Sequence, residues 1–414
     1  MHLTSPRNGA TLALSALLTL TPSLGHAAVP VQLGPRPFFL VQDMAPSPLR
    51  RELQACAATR RNYHPSLLSI GHRGAALQFP EHTQESYEAA ARMGAGIIEC
   101  DVTFTKDKAL VCRHAQNDLH TTTDILATPL AAKCTQPFQP ATFDTSGKLL
   151  TAATAECRTS DITLAEFKTL HAKMDGANTR ATTVADYMAG TPDFRTNLYA
   201  GPTSGTLMTL PEAITLFKKL GVGMTPELKT PVVSMPFDGM SQADFAQKMI
   251  DAFKAAGVPP SRVWAQSFLK DDILYWIAHE PAYGAQAVFL DDANTTADLP
   301  DLATLQGYRA AGIRYWAPPT FALLTTDGQG RIQASSWARD ARQAGLRLIT
   351  WTLERSGILA DGNNGFYYQT FDSAISREGD LYRVIDALVQ DVGVEGIFSD
   401  WAAPVTFYAN CKGL

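Results

Sequence analysis

A closed (β/α)8 barrel carrying an inserted subdomain is the α/β fold class that this sequence predicts. Three observations point there. From residue 67 onward, short apolar strand-like runs alternate with helical stretches, the signature of a parallel sheet with crossover helices. Eight such runs can be counted, the number that closes a barrel. No G-x-G-x-x-G follows the first run, which tells against the runner-up, a doubly wound open sheet. The chain has 414 residues, 45% hydrophobic and 18% charged, an ordinary globular composition with room for a barrel and its insertions.

The strand candidates are 67–71, 97–103, 224–229, 262–267, 286–290, 313–317, 346–351 and 396–399. Amphipathic helices separate most of them. The stretch 81–93 stops at Gly94. Thr209-Leu-Pro-Glu212 reads as a capping box with proline in the first turn, opening a helix that stops at Gly221. Helices are also predicted over 241–256, before Gly257, and over 269–279 and 381–390. Two regions break the rhythm of the barrel, which is expected to span 67–414. Residues 115–208, rich in Thr, Ala and Pro, are too long for a plain loop and read as a small insertion. Residues 354–379 form a Gly- and Asn-rich loop whose aromatics, Phe366, Tyr367, Tyr368 and Phe371, are expected to be exposed. Both follow strands, so both are expected on the barrel's C-terminal face.

Residues 1–27 read as a secretory signal: a polar start with Arg7, a short apolar core over 11–20, and Gly25 and Ala27 at the spacing of a cleavage site. The apolar run falls short of the roughly 20 residues that a spanning helix needs, and no later segment is apolar enough to span. The protein is therefore expected to be secreted or periplasmic. Residues 28–66, rich in Pro and Arg with no clear period, read as a leader segment. The net charge is −5 and no run of Lys or Arg appears, which argues against nucleic acid or an anionic membrane surface as partner. All six cysteines follow the predicted signal, an even count that suggests disulfides in an exported protein. The favoured pairs are Cys134 with Cys157 inside the insertion and Cys56 with Cys411 between the chain ends. Cys100 and Cys112 are then left for each other.

Barrel active sites form at the C-terminal ends of strands, so polar residues there are informative. The first run ends in His72-Arg73-Gly74. Glu99 and Asp101, two apart on the second run, point to one face. With Glu227 on the third they make a three-carboxylate oxygen site, chemistry for Mg²⁺ or Ca²⁺ rather than zinc. The alternative is a buried ion-pair network using Arg73 and Lys229. His72 and His114 are candidates for acid–base work, and Arg73 could grip phosphate bidentately. The fourth run ends in Gln266-Ser-Phe268, the seventh in Trp351 and the eighth in Ser399-Asp400.

His114 lies on a hairpin predicted after the second run. A two-residue loop at 106–107 sets His114 opposite Glu99. A shift by one residue sets Cys100 opposite Cys112. The two pairings cannot both hold in a regular ladder, although a β-bulge could reconcile them.

Gly71-His-Arg-Gly74, Pro80-Glu-His-Thr83, Glu99-Cys-Asp101, the hairpin ending at His114, Pro226-Glu-Leu-Lys229, Gln266-Ser-Phe268, Trp351-Thr352 and Gly396-Ile-Phe-Ser-Asp400 together resemble the glycerophosphodiester phosphodiesterase family. The likeness runs over about residues 67–408. It implies metal-dependent hydrolysis of a small-molecule glycerophosphodiester to sn-glycerol 3-phosphate and an alcohol, with Ca²⁺ or Mg²⁺ as cofactor. It implies Glu99, Asp101 and Glu227 as metal ligands and His72 and His114 as catalytic residues. It implies Arg73, Lys229, Gln266 and Trp351 as substrate contacts. Three departures stand out: His114 is followed by Ala115 where the family commonly has Asp, with Asp118 three residues further on; His82 replaces an Asn; and Lys108 stands where the turn usually carries Gly. Phospholipase D-like cleavage of an intact lipid is a second reading, with the aromatics of 354–379 as an apolar mouth. A non-catalytic phosphodiester-binding barrel is a third.

Overall fold

A computed structural model describes residues 1–2, 30–196, 205–362 and 364–414. The signal expected over 1–27 lies outside the described residues, apart from its first two. Eight parallel strands close on themselves: β1 (Ser66–Gly71), β2 (Ala95–Phe104), β3 (Gly223–Leu228), β4 (Gln266–Ser267), β5 (Val288–Leu290), β6 (Tyr315–Ala317), β7 (Arg347–Thr350) and β8 (Gly396–Ser399). Each pairs with its successor, and β1 pairs with both β2 and β8, which completes the barrel. The predicted fourth strand is the most shortened. Its first residue, Arg262, instead ends a helical turn that opens at Pro260.

Alternation along β2 divides the structure into two layers. Ile97 faces an inner apolar cluster with Ile70, Val288, Leu290, Tyr315, Ile349 and Phe398. Ile98, Cys100 and Val102 face outward into the larger core between strands and helices. Glu99 and Asp101 fall on the same side as Ile97, so the period of two that packs the barrel also aims both carboxylates inward.

The helices begin and end where their caps dictate. Gln84–Arg92 starts three residues later than predicted because Thr83 is the cap, its side chain accepting from Ser86 N–H. That leaves Glu81 and His82 in the loop before it. Leu210–Leu220 has the expected capping box between Thr209 and Glu212, and ends at Gly221 with φ 74°. Gln242–Ala255 is capped likewise by Ser241 and Asp244.

The segment from 30 to 65, where no period is evident in the sequence, folds as two helices, Arg36–Asp43 and Pro48–Thr59. Both are short and start at or beside a proline, so their periodicity is easily hidden. They pack on the closing helix Ala403–Lys412, with Phe38 and Tyr63 against Phe407 and a disulfide from Cys56 to Cys411. The other disulfides join Cys134 to Cys157 and Cys100 to Cys112.

Between the hairpin after β2 and the helix before β3, the chain makes short helical turns and two small two-stranded sheets. These enclose a buried cluster of their own that includes Leu119, Ile125, Ile162, Phe167, Leu170 and Tyr187. Among the described residues no helix is long and apolar enough to cross a membrane.

Candidate active site

The site is assembled at the C-terminal ends of β1, β2 and β3. Past Gly71 the chain turns sharply: Arg73 has φ 55° and Gly74 φ 91°. A side chain at Gly74 would collide with Ser86, so only glycine fits. The turn is pinned by His72 N–H donating to Ser399 O at 3.0 Å and His82 N–H donating to Arg73 O at 3.0 Å. His82 is itself left-handed, with φ 56°. Asparagine and histidine tolerate that conformation better than most side chains, a physical reason for the exchange of one for the other. The His82 ring is fully buried between the Tyr87 hydroxyl (3.0 Å) and Asp101 Oδ2 (2.9 Å).

Parallel register sets Asp101 opposite Glu227, while Glu99 lies two residues back on the same face. Carboxylate oxygens of Glu99, Asp101 and Glu227 all come within 4.8 Å of one another. Each acid has a partner that aims it. Glu99 accepts from the Arg73 backbone N–H at 2.9 Å and from Gln266 Nε2 at 2.8 Å. Glu227 pairs with Lys229 at 2.6 Å. Asp101 Oδ2 is taken by His82, whereas buried Oδ1 has no hydrogen-bond partner among the described residues.

The electrostatics are those of crowded acids. Burial, then Asp101 and Glu227, push Glu99 well above the usual carboxylate range. Burial and Asp101 raise Glu227 to about 7 against the pull of Lys229. Asp101 is held low, because Lys229 and His82 together outweigh its burial. Three acids this close, with Asp101 Oδ1 buried and without a hydrogen-bond partner among the described residues, and Glu227 Oε1 buried with none beyond its ion pair to Lys229, fit a hard divalent cation with oxygen ligands.

His72 Nδ1 lies 2.9 Å from Asp400 Oδ1, and its Nε2 is 3.8 Å from Glu99. Arg355 and His72 keep Asp400 ionised despite burial, so Nδ1–H donates and Nε2 is left as the basic nitrogen. Burial lowers the His72 pKa to about 4, with Asp400 opposing. His114 is also lowered, by burial and then by Arg73 and Lys229. Its ring nitrogens lie within 4.8 Å of carboxylate oxygens of Glu81 and Asp118. The Asp118 carboxylate, held by Ala115 N–H at 3.0 Å, is thus an acid within 4.8 Å of this imidazole, three residues further along than in the family pattern.

One cavity is lined by His72, Arg73, Glu99, Asp101, His114, Glu227, Lys229 and Trp351, joined by Phe268, Leu290, Tyr367 and Phe398. Eight of the nine residues expected to form the site thus meet there. Gln266 does not line it. It stands behind Glu99 as a hydrogen-bond donor, because its residue on β4 pairs with Glu227 and its amide is spent on a carboxylate. Neither expected hairpin register occurs. Val102 opposes Cys112, and the return strand is Leu110–Cys112. The turn is centred on Asp107 and closed by Lys108 N–H donating to Thr105 O. Cys100 and Cys112 bond across a diagonal, outside the barrel, while His114 lies beyond the paired residues and reaches the cavity. Of the four loop aromatics expected at the surface, Tyr368 and Phe371 are fully buried; only Tyr367 lines the cavity, with Phe366 stacked on Trp351.

Three residues were not given a role from sequence. Asp400 stands at a strand end and could have been found by that rule. Glu81, which accepts from Arg73 Nη1 at 2.9 Å, lies in the Pro80–Thr83 motif but stands where the sequence predicts the first residue of a helix, and Arg355, just past β7, comes from a loop with no periodic signal.

A parallel barrel with acids, an arginine and two histidines converging at its strand ends defines a hydrolase of phosphoric diesters. The sequence profile of the glycerophosphoryl diester phosphodiesterase family matches residues 72–403. The chain belongs to that family. An Arabidopsis thaliana glycerophosphodiester phosphodiesterase is 24% identical over 396 residues, covering 90% of this chain and 95% of the relative. A protein of Arthroderma benhamiae named only "Extracellular protein" is 48% identical over 246 residues, 58% of this chain and all of the relative. In fold, a candidate glycerophosphoryl diester phosphodiesterase from Silicibacter pomeroyi superposes with a TM-score of 0.53 at 20% identity, covering 85% of this chain and 96% of that one.

Proposed function

We propose that this protein is an exported, cation-dependent enzyme that hydrolyses glycerophosphodiesters to sn-glycerol 3-phosphate and an alcohol. The observation that carries the reading is the cluster of Glu99, Asp101 and Glu227, with Asp101 Oδ1 buried and unsatisfied, in the lining of the same cavity as Arg73 and the two histidines. Glu99, Asp101 and Glu227 would hold Ca²⁺ or Mg²⁺, which when bound supplies Lewis-acid stabilisation of a phosphoryl oxygen. Arg73 and Lys229 add positive charge where the phosphate's negative charge builds. His72, oriented by Asp400, accepts the proton of the substrate glycerol's 2-hydroxyl as that oxygen attacks phosphorus. His114 gives a proton to the departing alcohol oxygen. Water then opens the resulting cyclic phosphate, with His114 taking the water's proton and His72 returning one to the 2-oxygen. Export is supported by three disulfides and by the extracellular relative. We read residues 115–208 as an insertion roofing the site and 354–379 as its second covering loop.

Intact phospholipids are a weaker fit, since two of the four aromatics invoked for an acyl mouth are spent on packing their own loop. The test is release of glycerol 3-phosphate from a panel of glycerophosphodiesters, before and after chelation and with each cation restored. Turnover should vanish on chelation and return with Ca²⁺ or Mg²⁺. Turnover that survives exhaustive chelation would overturn the metal assignment, and cleavage of micellar lipid alone would overturn the substrate class. Cyclic glycerophosphate should accumulate transiently; a time course with none, and with water oxygen entering product directly, rules out the internal attack.

A further inference from the structure

We propose that Arg355 is a positioning residue of this site, one guanidinium that sets His72 and Arg73 together by holding the carboxylate behind each. The inference rests on the reading above only in taking His72 and Arg73 as working groups. Arg355 Nε lies 3.0 Å from Asp400 Oδ2 and donates to Oδ1 at 3.3 Å. Its Nη2 donates to Glu81 Oε2 at 3.2 Å, and its Nη1 is 3.6 Å from Asp175 Oδ2. The first two acids are the second partners of the active groups: Asp400 takes His72 Nδ1 at 2.9 Å, and Glu81 Oε2 takes Arg73 Nη1 at 2.9 Å.

Arg355 does not line the cavity that holds the acids and histidines. It lines a neighbouring one, with Leu77, Asp175, Phe194, Arg195 and Asp400. Its action is therefore through other residues. A single Glu81 oxygen is shared between two guanidiniums, so removing Arg355 gives that oxygen wholly to Arg73 and draws Arg73 back from the phosphate. The same removal leaves Asp400, among the described residues, held on its side chain by His72 alone, free to swing with the imidazole. A lysine keeps the charge but cannot span Asp400 and Glu81 with a planar fork. A network present only for stability would not predict that both the proton-transfer group and the phosphate contact loosen from one substitution.

The experiment compares full-length wild type with Arg355→Gln, Arg355→Lys and Asp400→Asn. Turnover is read on a glycerophosphodiester. The hydrogen-bonded imidazole N–H of His72 is followed as a downfield proton resonance, assigned by its loss in Asp400→Asn. Arg355→Gln should lower kcat by about ten- to a hundredfold, the scale of a misplaced catalytic group, raise KM, and broaden or erase that resonance. Arg355→Lys should recover only part of each. Because the two residues act as a unit, Arg355→Gln on top of Asp400→Asn should cost little more kcat than Asp400→Asn alone. An unaltered resonance with kcat and KM within about twofold of wild type, or fully additive kcat losses in the double variant, overturns the proposal. If Arg355→Gln does not fold, Arg355→Lys carries the same comparisons. Wild type inactive on every glycerophosphodiester would count against the substrate reading alone, since the resonance reports on Arg355 without turnover.

Discussion

Asp400 Oδ1 meets the His72 ring at 2.9 Å, and the position of that one oxygen decides which imidazole nitrogen is basic. Asp400→Asn keeps the shape but offers an amide, which favours the wrong tautomer. Steady-state kinetics should show kcat falling by about a hundredfold or more, with KM less affected. Glu354, two residues from Thr352 on the same chain segment, gives a pH prediction. It accepts from Ser399 Oγ at 2.9 Å and from Asp400 N–H at 3.0 Å, and burial, then the Asp400 charge, raises its pKa to about 8. A carboxyl raised in the folded state binds a proton that the unfolded chain has released. Its contribution to stability is therefore complete below about pH 4.5 and is lost as pH climbs through about 8. Glu354→Gln should raise Tm by a few degrees at alkaline pH and leave it little changed in acid. Equal Tm differences at both ends would remove Glu354 from the pH dependence. The acids and histidines were legible at this scale because strand-end polar residues have few structural uses. Glu81 was not, because the sequence predicts it as the start of a helix that begins only at Gln84, nor was Arg355, because a charged residue in an irregular loop looks the same whether it faces solvent or a buried ion pair.

The hairpin after β2 shows what a single element hides. The sequence supplied its turn residues and both cysteines but not its register, because each expected pairing assumed that the functional or covalent partners sit directly opposite. In the structure the disulfide is diagonal, and His114 has left the ladder. Lys108 closes the turn with φ 63°, where glycine stands in the family pattern. A side chain in that conformation costs about 1 kcal/mol or more. Its ammonium recovers some of this through the Asp238 carboxylate at 3.0 Å, an exposed pair of small worth. Lys108→Gly should therefore stabilise the protein by up to about 1 kcal/mol in denaturant unfolding, with kcat unchanged. A destabilised variant would mean that the ion pair outweighs the backbone strain.

At the scale of the whole molecule, barrel closure was legible from the count of strands and the spacing of capped helices. The two leader helices were not, because they are short and open on proline, and Phe38 of the first packs on Phe407 at the far end of the chain. The Cys56–Cys411 bond spans 355 residues and is the covalent part of that docking. Replacing both cysteines by serine should cost roughly 2–5 kcal/mol of stability, most of it through the freed unfolded chain. Activity at moderate temperature should persist, since the bond joins helices on the outside of the barrel. Loss of turnover in a variant that remains folded would show that the terminal helices reach the site after all.

The lining of the cavity is segregated by strand. Every charged group comes from β1 to β3 and the hairpin that follows β2, while Phe268, Leu290, Trp351, Tyr367 and Phe398 come from β4 onward. The charged and the apolar lining of the cavity thus come from different stretches of the chain, although Asp400 and Arg355, which stand behind His72 and Arg73, belong to the second. Descendants of this gene could trade one head group for another by drift at these apolar positions, with the charged lining, Asp400 and Arg355 held constant. A library randomised only at Phe268, Leu290 and Tyr367 should yield altered preference among alcohols at nearly constant metal requirement, and sorting such variants by cation dependence should find them indistinguishable from the parent.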